Sequence, residues 1–405
     1  MPNLRWNILK KVKLGYLVSH PIQYQAPLLK LIAAQPWVKL KVYFCSDFSL
    51  KDYSDEGFGK KIKWDVPLTD GYDYSVLPSL AFSNELSFFK PVNYGLKSHL
   101  IKDGIQCLWI HGWGYWSHVN AVRIANKLNI PVLMRGESGF HVGTENQIKQ
   151  KIKNIYLKYV FKKISGFLSI GSRNTEYYRA FGVPDEKIYD VPYAVDNKYF
   201  QNKVEASQDD VEKIRNEFNI KKDIPVFLYA SKLSERKCIL DLLSAYSQLS
   251  IDGKQAPAAY LLIVGDGEEF EKAEAVIKSL QWDTVKLLGF KNQSELPSYY
   301  ALCDVFVLPS KREAWGLVVN EVMNASKSVV VTNEVGCADD LVLHGENGYV
   351  YQAGNIKELS ALLKNYINDR SLASRMGKES LKIITDWGFD QDIVGLQKAI
   401  QDVTK

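Results

Sequence analysis

The sequence predicts an α/β protein of two Rossmann-like doubly wound domains facing a cleft, and three observations carry that expectation. Short apolar runs alternate with amphipathic stretches almost throughout, the pattern of parallel strands covered on both faces by helices. The pattern restarts after residue 200. The length, 405 residues, suits two domains, each long enough to bury a core of its own.

The elements follow in order. Leu14 to Val18 reads as a strand, Ile22 to Ala34 as a helix and Leu40 to Phe44 as the next strand. Residues 45–100 are aromatic-rich and irregular, and are expected to be loops with one or two helices. Strand-like runs resume at Cys107 to Ile110, Pro131 to Met134, Gly166 to Ile170 and Lys187 to Val191, with helices at Val119 to Leu128 and Gln147 to Lys163. Polar Gln201 to Asp210 reads as a connection. Beyond it, Pro225 to Ala230, Tyr260 to Val264, Thr284 to Leu288, Val305 to Leu308 and Ser328 to Thr332 read as strands. Helices are expected at about 237–249, 267–280, 293–302, 316–326 and 355–385, with a last one from about Asp390 to Val403. The expected divisions are 1–200, 201–386 and a terminal helix, 387–405, packing back toward the N-terminal domain. Open parallel sheets place ligands outside the carboxyl ends of their strands.

Composition is that of a soluble globular protein. The net charge of +5 hints at an anionic ligand or a membrane surface, although a solvated, slightly basic exterior accounts for it more simply. Five cysteines without metal or redox spacing point to buried free thiols and a reducing compartment. The apolar run after Lys10, Lys11 and Lys13 is too short for a signal-peptide core, and no run is long enough to span a bilayer. A cytoplasmic location is expected, with the inner face of a membrane as the variant.

The most informative window is Val305 to Val331. A strand ends at Pro309-Ser310, a loop carries Glu313, and a helix opens near Gly316 and carries Glu321. Free N–H groups from Ala314, Trp315, Gly316, Leu317 and Val318 suit a phosphate, aided by the helix dipole. Glu321, five residues into the helix and so roughly 7–8 Å along it, suits two vicinal ribose hydroxyls. Glu313 suits a hexose. Taken alone, the window is equally well a helix terminus with two unremarkable acids. A second window, Ser231 to Lys237, follows a strand and brackets a turn with Lys232 and Lys237. At about 4 Å and an effective dielectric near 20, each lysine has about 4 kcal/mol of Coulomb energy with a diphosphate before desolvation. Alone, it is a solvated basic turn. A third, Leu261 to Gly267, ends a strand in Gly265-Asp266-Gly267 but has Phe270 where a dinucleotide fingerprint needs its third glycine.

Together these windows resemble the C-terminal domain of GT-B fold glycosyltransferases, specifically the large retaining family numbered four, the glycosyl transferases group 1. Ser231-Lys232-Leu233 and Lys237 stand where that family has Gly-Arg-Leu and a lysine. Gly265 to Gly267 match its Gly-Asp-Gly turn, Gly289-Phe290 its base-binding pair, and Glu313 with Glu321 its spaced glutamates. Ile188 to Phe200 resembles its interdomain connector, and the resemblance runs through roughly 160–385. Lys232 replaces the usual arginine, keeping the charge without the planar fork. The resemblance implies a nucleoside-diphosphate sugar as donor substrate, no cofactor, and retention of anomeric configuration. It assigns Lys232, Lys237, Gly265, Phe290, Glu313, residues 314–318 and Glu321 to the donor.

The N-terminal half resembles the family more loosely. Ser19-His20-Pro21-Ile22-Gln23-Tyr24 stands in place of a glycine-rich loop. His111-Gly112-Trp113-Gly114 and Arg135-Gly136-Glu137-Ser138 end neighbouring strands and are expected to face the cleft. His20, His111, Arg135 and Glu137 are therefore acceptor-side candidates, and Glu137 is a catalytic candidate beside Lys232, Lys237 and Glu313. The alternative for Glu137 is an ion pair with Arg135 or another base. No metal site is expected: Asp390 and Asp392 read as helix-capping acids, and the histidines at 20, 99, 111, 118, 141 and 344 lack ligand spacing. Partners are the donor and a glycan or lipid-linked acceptor, with no nucleic acid. Gln147 to Lys163, basic and amphipathic, suits either an anionic membrane or a core packing with a solvated basic face. A sugar-nucleotide epimerase and a catalytically silent sugar-nucleotide-binding protein are the rival functions.

Overall fold

The computed structural model describes residues 11–50, 53–55, 60–62, 65–80, 87–139, 147–250 and 255–405; His141 lies outside them. The chain forms two compact units, one of 1–53, 67–192 and 389–405, the other of 54–66 and 193–388.

The first unit is a parallel sheet. In chain order come β1 (Val12–Val18), α1 (Ala26–Ala33), β2 (Val38–Phe44), the short β3 (Tyr53–Asp55) and β4 (Lys60–Ile62), which from residue 54 on belong to the second unit, then β5 (Asp73–Val76) and α2 (Leu96–Asp103). Then follow β6 (Cys107–His111), α3 (Trp116–Lys127), β7 (Val132–Arg135), α4 (Gln147–Phe161), β8 (Gly166–Ser169), α5 (Ser172–Ala180) and β9 (Ile188–Asp190). The strand order is β5-β2-β1-β6-β7-β8-β9. The order reverses between β1 and β6, where an open sheet leaves a crevice for ligand. One face of the sheet packs Leu17, Leu108, Ile110, Val132 and Met134 against α3 and α4, while the other buries Tyr16, Val18, Val42 and Trp109.

The second unit carries α6 (Asn197–Glu205), α7 (Gln208–Glu217), β10 (Val226–Ala230), α8 (Ile239–Ser247), β11 (Tyr260–Val264), α9 (Phe270–Leu280) and β12 (Val285–Leu287). It continues through α10 (Leu296–Leu302), β13 (Val305–Leu308), α11 (Leu317–Met323), β14 (Ser328–Thr332), α12 (Ala338–Leu341), β15 (Gly348–Tyr351), α13 (Ile356–Asn368) and α14 (Leu372–Thr385). Its parallel sheet runs β12-β11-β10-β13-β14-β15, with the reversal between β10 and β13. Residues 54–66 join this unit, and the backbone N–H of Ser294 donates to Asp65 at 3.3 Å.

Finally α15 (Phe389–Val403) lies in the first unit, with Leu396, Ala399 and Ile400 in one core with Leu14 and Leu168. Gly395 allows the approach, because a β-carbon there would stand 1.8 Å from the Asp190 carbonyl oxygen.

Several elements differ from the expectation. The polar stretch 201–210 is not a connection but belongs to α6 and α7. Asp196 caps α6 by accepting from the Tyr199 N–H at 3.0 Å, and Val211 and Ile214 alone anchor α7, so the apolar signal is sparse. The stretch 355–385 is two helices, broken where Asp369 accepts from Ser371. The helix expected over 316–326 has only seven residues. The boundary between units falls after Pro192 rather than at 200.

Candidate functional site

The turns after β10, β11 and β12 lie side by side because backbone hydrogen bonds join them. Ser231 N–H donates to Val264 O at 3.1 Å, Leu233 N–H to Asp266 O at 2.9 Å, and Gly265 N–H to Gly289 O at 2.8 Å. Gly265 has φ 143°, and a β-carbon there would stand 1.9 Å from the Ser231 carbonyl oxygen, so side chains are excluded. The loop after β13 is held from the other side. Glu313 N–H donates to Glu334 O at 3.1 Å, Gly336 N–H to Glu313 O at 3.0 Å, and Lys311 N–H to Arg236 O at 2.7 Å.

This framework brings Lys237 and Glu313 into a direct ion pair, with Arg236 Nη1 at 3.1 Å from the same carboxylate oxygen. Lys237 is 7% exposed. Burial lowers its pKa, Glu313 opposes that, and the charges of Arg236 and Lys232 lower it further. Four charged side chains of one sign or the other thus converge where the sheet order reverses, beside the start of α11. The site suits an anion, since a diphosphate would compete with Glu313 for Lys237 and gain Arg236 and Lys232 as further cations. The first-turn N–H groups of α11 are presented through Gly316, which has φ 95°.

The side chains around that turn do other work. Trp315 is 4% exposed, stacks on Trp387 at 5.6 Å and donates to Asn320 at 2.9 Å, so its contribution to a ligand is backbone alone. Leu317 and Val318 are half-buried. Glu321 accepts from the Tyr300 hydroxyl at 2.6 Å, and burial pushes its carboxyl pKa up to about 7. Phe290 is half-buried beside Gly289, whose φ is 68°. Arg236 and Tyr300 were not singled out by sequence reasoning. Arg236 sits inside the recognised window, whereas nothing in the sequence around Tyr300 ties it to Glu321.

In the first unit a polar cluster stands at the carboxyl ends of β1 and β6. The buried Tyr16 hydroxyl donates to Gln25 Oε1 at 2.6 Å, which turns the Gln25 amide nitrogen toward the His111 ring at 3.1 Å. Glu137 accepts from the Tyr24 hydroxyl at 2.9 Å and lies 3.8 Å from His111 Nε2. His20 bonds Ser19 and lies against Phe48, and burial beside His111 lowers its pKa to about 4. Sequence reasoning missed Gln25, Tyr24 and Tyr16 as the frame of this cluster.

Two expectations need correction. Arg135 is not an acceptor-side contact: it is 2% exposed and donates to Val191 O at 2.9 Å, Pro192 O at 2.6 Å and Asp392 Oδ1 at 2.8 Å. Asp392 is not a helix-capping acid either, because it is 1% exposed and supplies the counter-charge to that guanidinium. Glu137 accordingly pairs with His111 and Tyr24. Among the described residues no cluster of three or more metal-ligating side chains occurs, and no helix is long and apolar enough to cross a membrane.

Two parallel sheets with these reversals place the chain among structures of GT-B architecture. A glycosyltransferase from Rickettsia africae ESF-5 has TM-score 0.73 at 14% identity, covering 98% of this chain and 99% of that one. Anabaena Alr3699/HepE, solved in complex with UDP, has TM-score 0.72 at 16% identity, covering 97% of this chain and 100% of that one. Residues 210–382, within the second unit, match the family model of the glycosyl transferases group 1. N-acetyl-alpha-D-glucosaminyl L-malate synthase of Bacillus anthracis is 25% identical over 194 residues, 47% of this chain and 49% of that protein. The match spans about half the length of such curated relatives.

Proposed function

We propose that the chain is a retaining glycosyltransferase, moving a sugar from a nucleoside-diphosphate donor to the hydroxyl of a glycan, lipid-linked or small-molecule acceptor. The observation that carries the reading is the Lys237–Glu313–Arg236 cluster at the sheet reversal, within the residues that match the group 1 family model. The UDP complex of a structural neighbour supports a nucleoside diphosphate as the donor's leaving group.

In this reading Lys232, Lys237 and the first turn of α11 hold the diphosphate, Phe290 meets the base, Glu321 the ribose and Glu313 the sugar. The acceptor oxygen attacks the anomeric carbon from the face the diphosphate leaves. The bond from that carbon to the phosphate oxygen breaks as the new glycosidic bond forms, and the phosphate oxygen takes the acceptor proton. The work of the lysines is electrostatic, because negative charge grows on the leaving diphosphate in the transition state. His111 and Glu137 are assigned to the acceptor hydroxyl. No metal takes part, and the reaction runs on the cytoplasmic side of the cell.

The test is a thermal-shift screen of nucleoside diphosphates and their sugars, followed by acceptor-dependent release of the diphosphate with and without EDTA. A ligand at about a hundred times its Kd adds about 2.7 kcal/mol of stability. A screen in which no nucleoside diphosphate stabilises the protein overturns the reading. Turnover of the donor without acceptor favours the epimerase alternative, and tight binding without turnover the silent binder. Loss of activity in EDTA with rescue by manganese or magnesium refutes metal independence.

A further inference from the structure

α4 carries two apolar faces. Leu157, Val160 and Phe161 point into the core of the first unit, at 0%, 3% and 4% exposure. Ile152, Ile155 and Tyr159 do the opposite, at 63%, 71% and 61% exposure. With about 3.6 residues per turn, those three side chains fall within roughly 60° of arc, centred opposite Leu157. They form a stripe roughly 10 Å long. Packing inside the unit therefore accounts for only one face.

Lysines border the second face. Lys151 and Lys158 lie on one flank and are exposed. Lys162 follows at the end of the helix on the same flank, and Lys163 holds its ammonium 4.8 Å over the Tyr159 ring on the other. The segment 147–163 has six lysines and no acid. Among the described residues no ion pair engages Lys151, Lys158, Lys162 or Lys163.

We propose that this face of α4 is a docking surface for an anionic lipid bilayer. Exposed isoleucines and a tyrosine enter the boundary between headgroups and acyl chains, while the bordering lysines meet lipid phosphates. Charge decides against a second copy of this chain as occupant, because two such faces would set lysine against lysine. Area decides against a protein partner held by this stripe alone, since stable interfaces need about 800 Å² per partner and three side chains supply a fraction of that. The surface is independent of the donor-site reading, and its test needs no turnover.

The full chain is sedimented with vesicles of phosphatidylcholine and with vesicles of phosphatidylcholine and phosphatidylglycerol, at low and high salt. Binding is expected on the anionic vesicles only, weakening with salt. The combined variant Ile152→Ser, Ile155→Ser, Tyr159→Ser is expected to lower partitioning about tenfold or more. Lys151→Gln, Lys158→Gln, Lys162→Gln is expected to do the same and to flatten the salt dependence. All six positions lie outside the core and the donor site, so melting temperature and nucleoside-diphosphate binding should match wild type in both variants. Three results overturn the proposal: equal binding to neutral and anionic vesicles, wild-type partitioning of the serine variant, or lipid-free dimerisation that the serine variant abolishes.

Discussion

Replacing Glu321 with glutamine separates the burial of that carboxyl from its proposed task. In the folded protein its pKa is about 7, against an ordinary 4.5, because burial outweighs the hydrogen bond from Tyr300. The folded state therefore keeps a proton that the unfolded chain has already lost. Stability from this group is complete below pH 4.5 and is lost as pH rises toward and through 7. At about 1.4 kcal/mol per pKa unit, the loss between pH 5 and pH 8 is about 2.5 kcal/mol. Glu321→Gln keeps an acceptor for Tyr300 and removes the titration, so the variant should gain on wild type by about that amount across the interval. Urea unfolding of both proteins at each pH measures the gap. Asp392, whose carboxyl pKa burial also raises, contributes equally to both proteins and cancels. A gap that does not change with pH refutes the desolvated carboxyl. Binding of a nucleoside diphosphate tests the second half of the argument. Only the ionised carboxylate accepts from two ribose hydroxyls, so wild-type affinity should rise about tenfold from pH 6 to pH 8. The variant corrects for the nucleotide's own protonation, and an equal rise in both proteins removes Glu321 from the ribose.

Lys237→Ala and Lys232→Ala should each lower turnover by about 10²–10³, the usual loss when one donor to developing charge is removed; near-wild-type rates in both would end the leaving-group assignment. Glu137→Gln should lower kcat while donor affinity holds, as expected of an interaction made mainly in the transition state, and an unchanged kcat reduces Glu137 to a partner of Tyr24 and His111. Gly265→Ala sets a β-carbon 1.9 Å from a backbone oxygen, so the second unit should lose about 3 kcal/mol or more in urea, and a loss under 1 kcal/mol would show that the two turns part easily.

The strands of both sheets were legible wherever burial on two faces makes a continuous apolar run, as in Val226–Ala230, Tyr260–Val264 and Val305–Leu308. β5 was not, because this edge strand has exposed Asp73, Tyr74 and Val76 and so writes no apolar run. α5 was missed for a similar reason, since only Asn174, Tyr177 and Tyr178 are buried in it. The residues of the second-unit site were legible because each follows a strand end within a short window. Their pairing was not: Lys237 and Glu313 stand 76 residues apart, and only the reversal of strand order joins them. Arg135 misled for the same reason, because its position at the carboxyl end of β7 suggested a ligand contact while Asp392 lies on the last helix.

That partner arrives late. Arg135 and Asp392 are 257 residues apart, and at roughly 5–20 residues per second a ribosome needs some tens of seconds to travel between them. Through that interval the nascent first unit holds a guanidinium that lacks Asp392, and Leu396, Ala399 and Ile400 are missing from its core. The second unit, whose six-stranded parallel sheet lies between residues 226 and 351, has that whole sheet in hand before the core of the first unit can close. The first sheet has all its strands by residue 190 but not the helix that covers one of its faces, so the final helix acts as the latch that commits it.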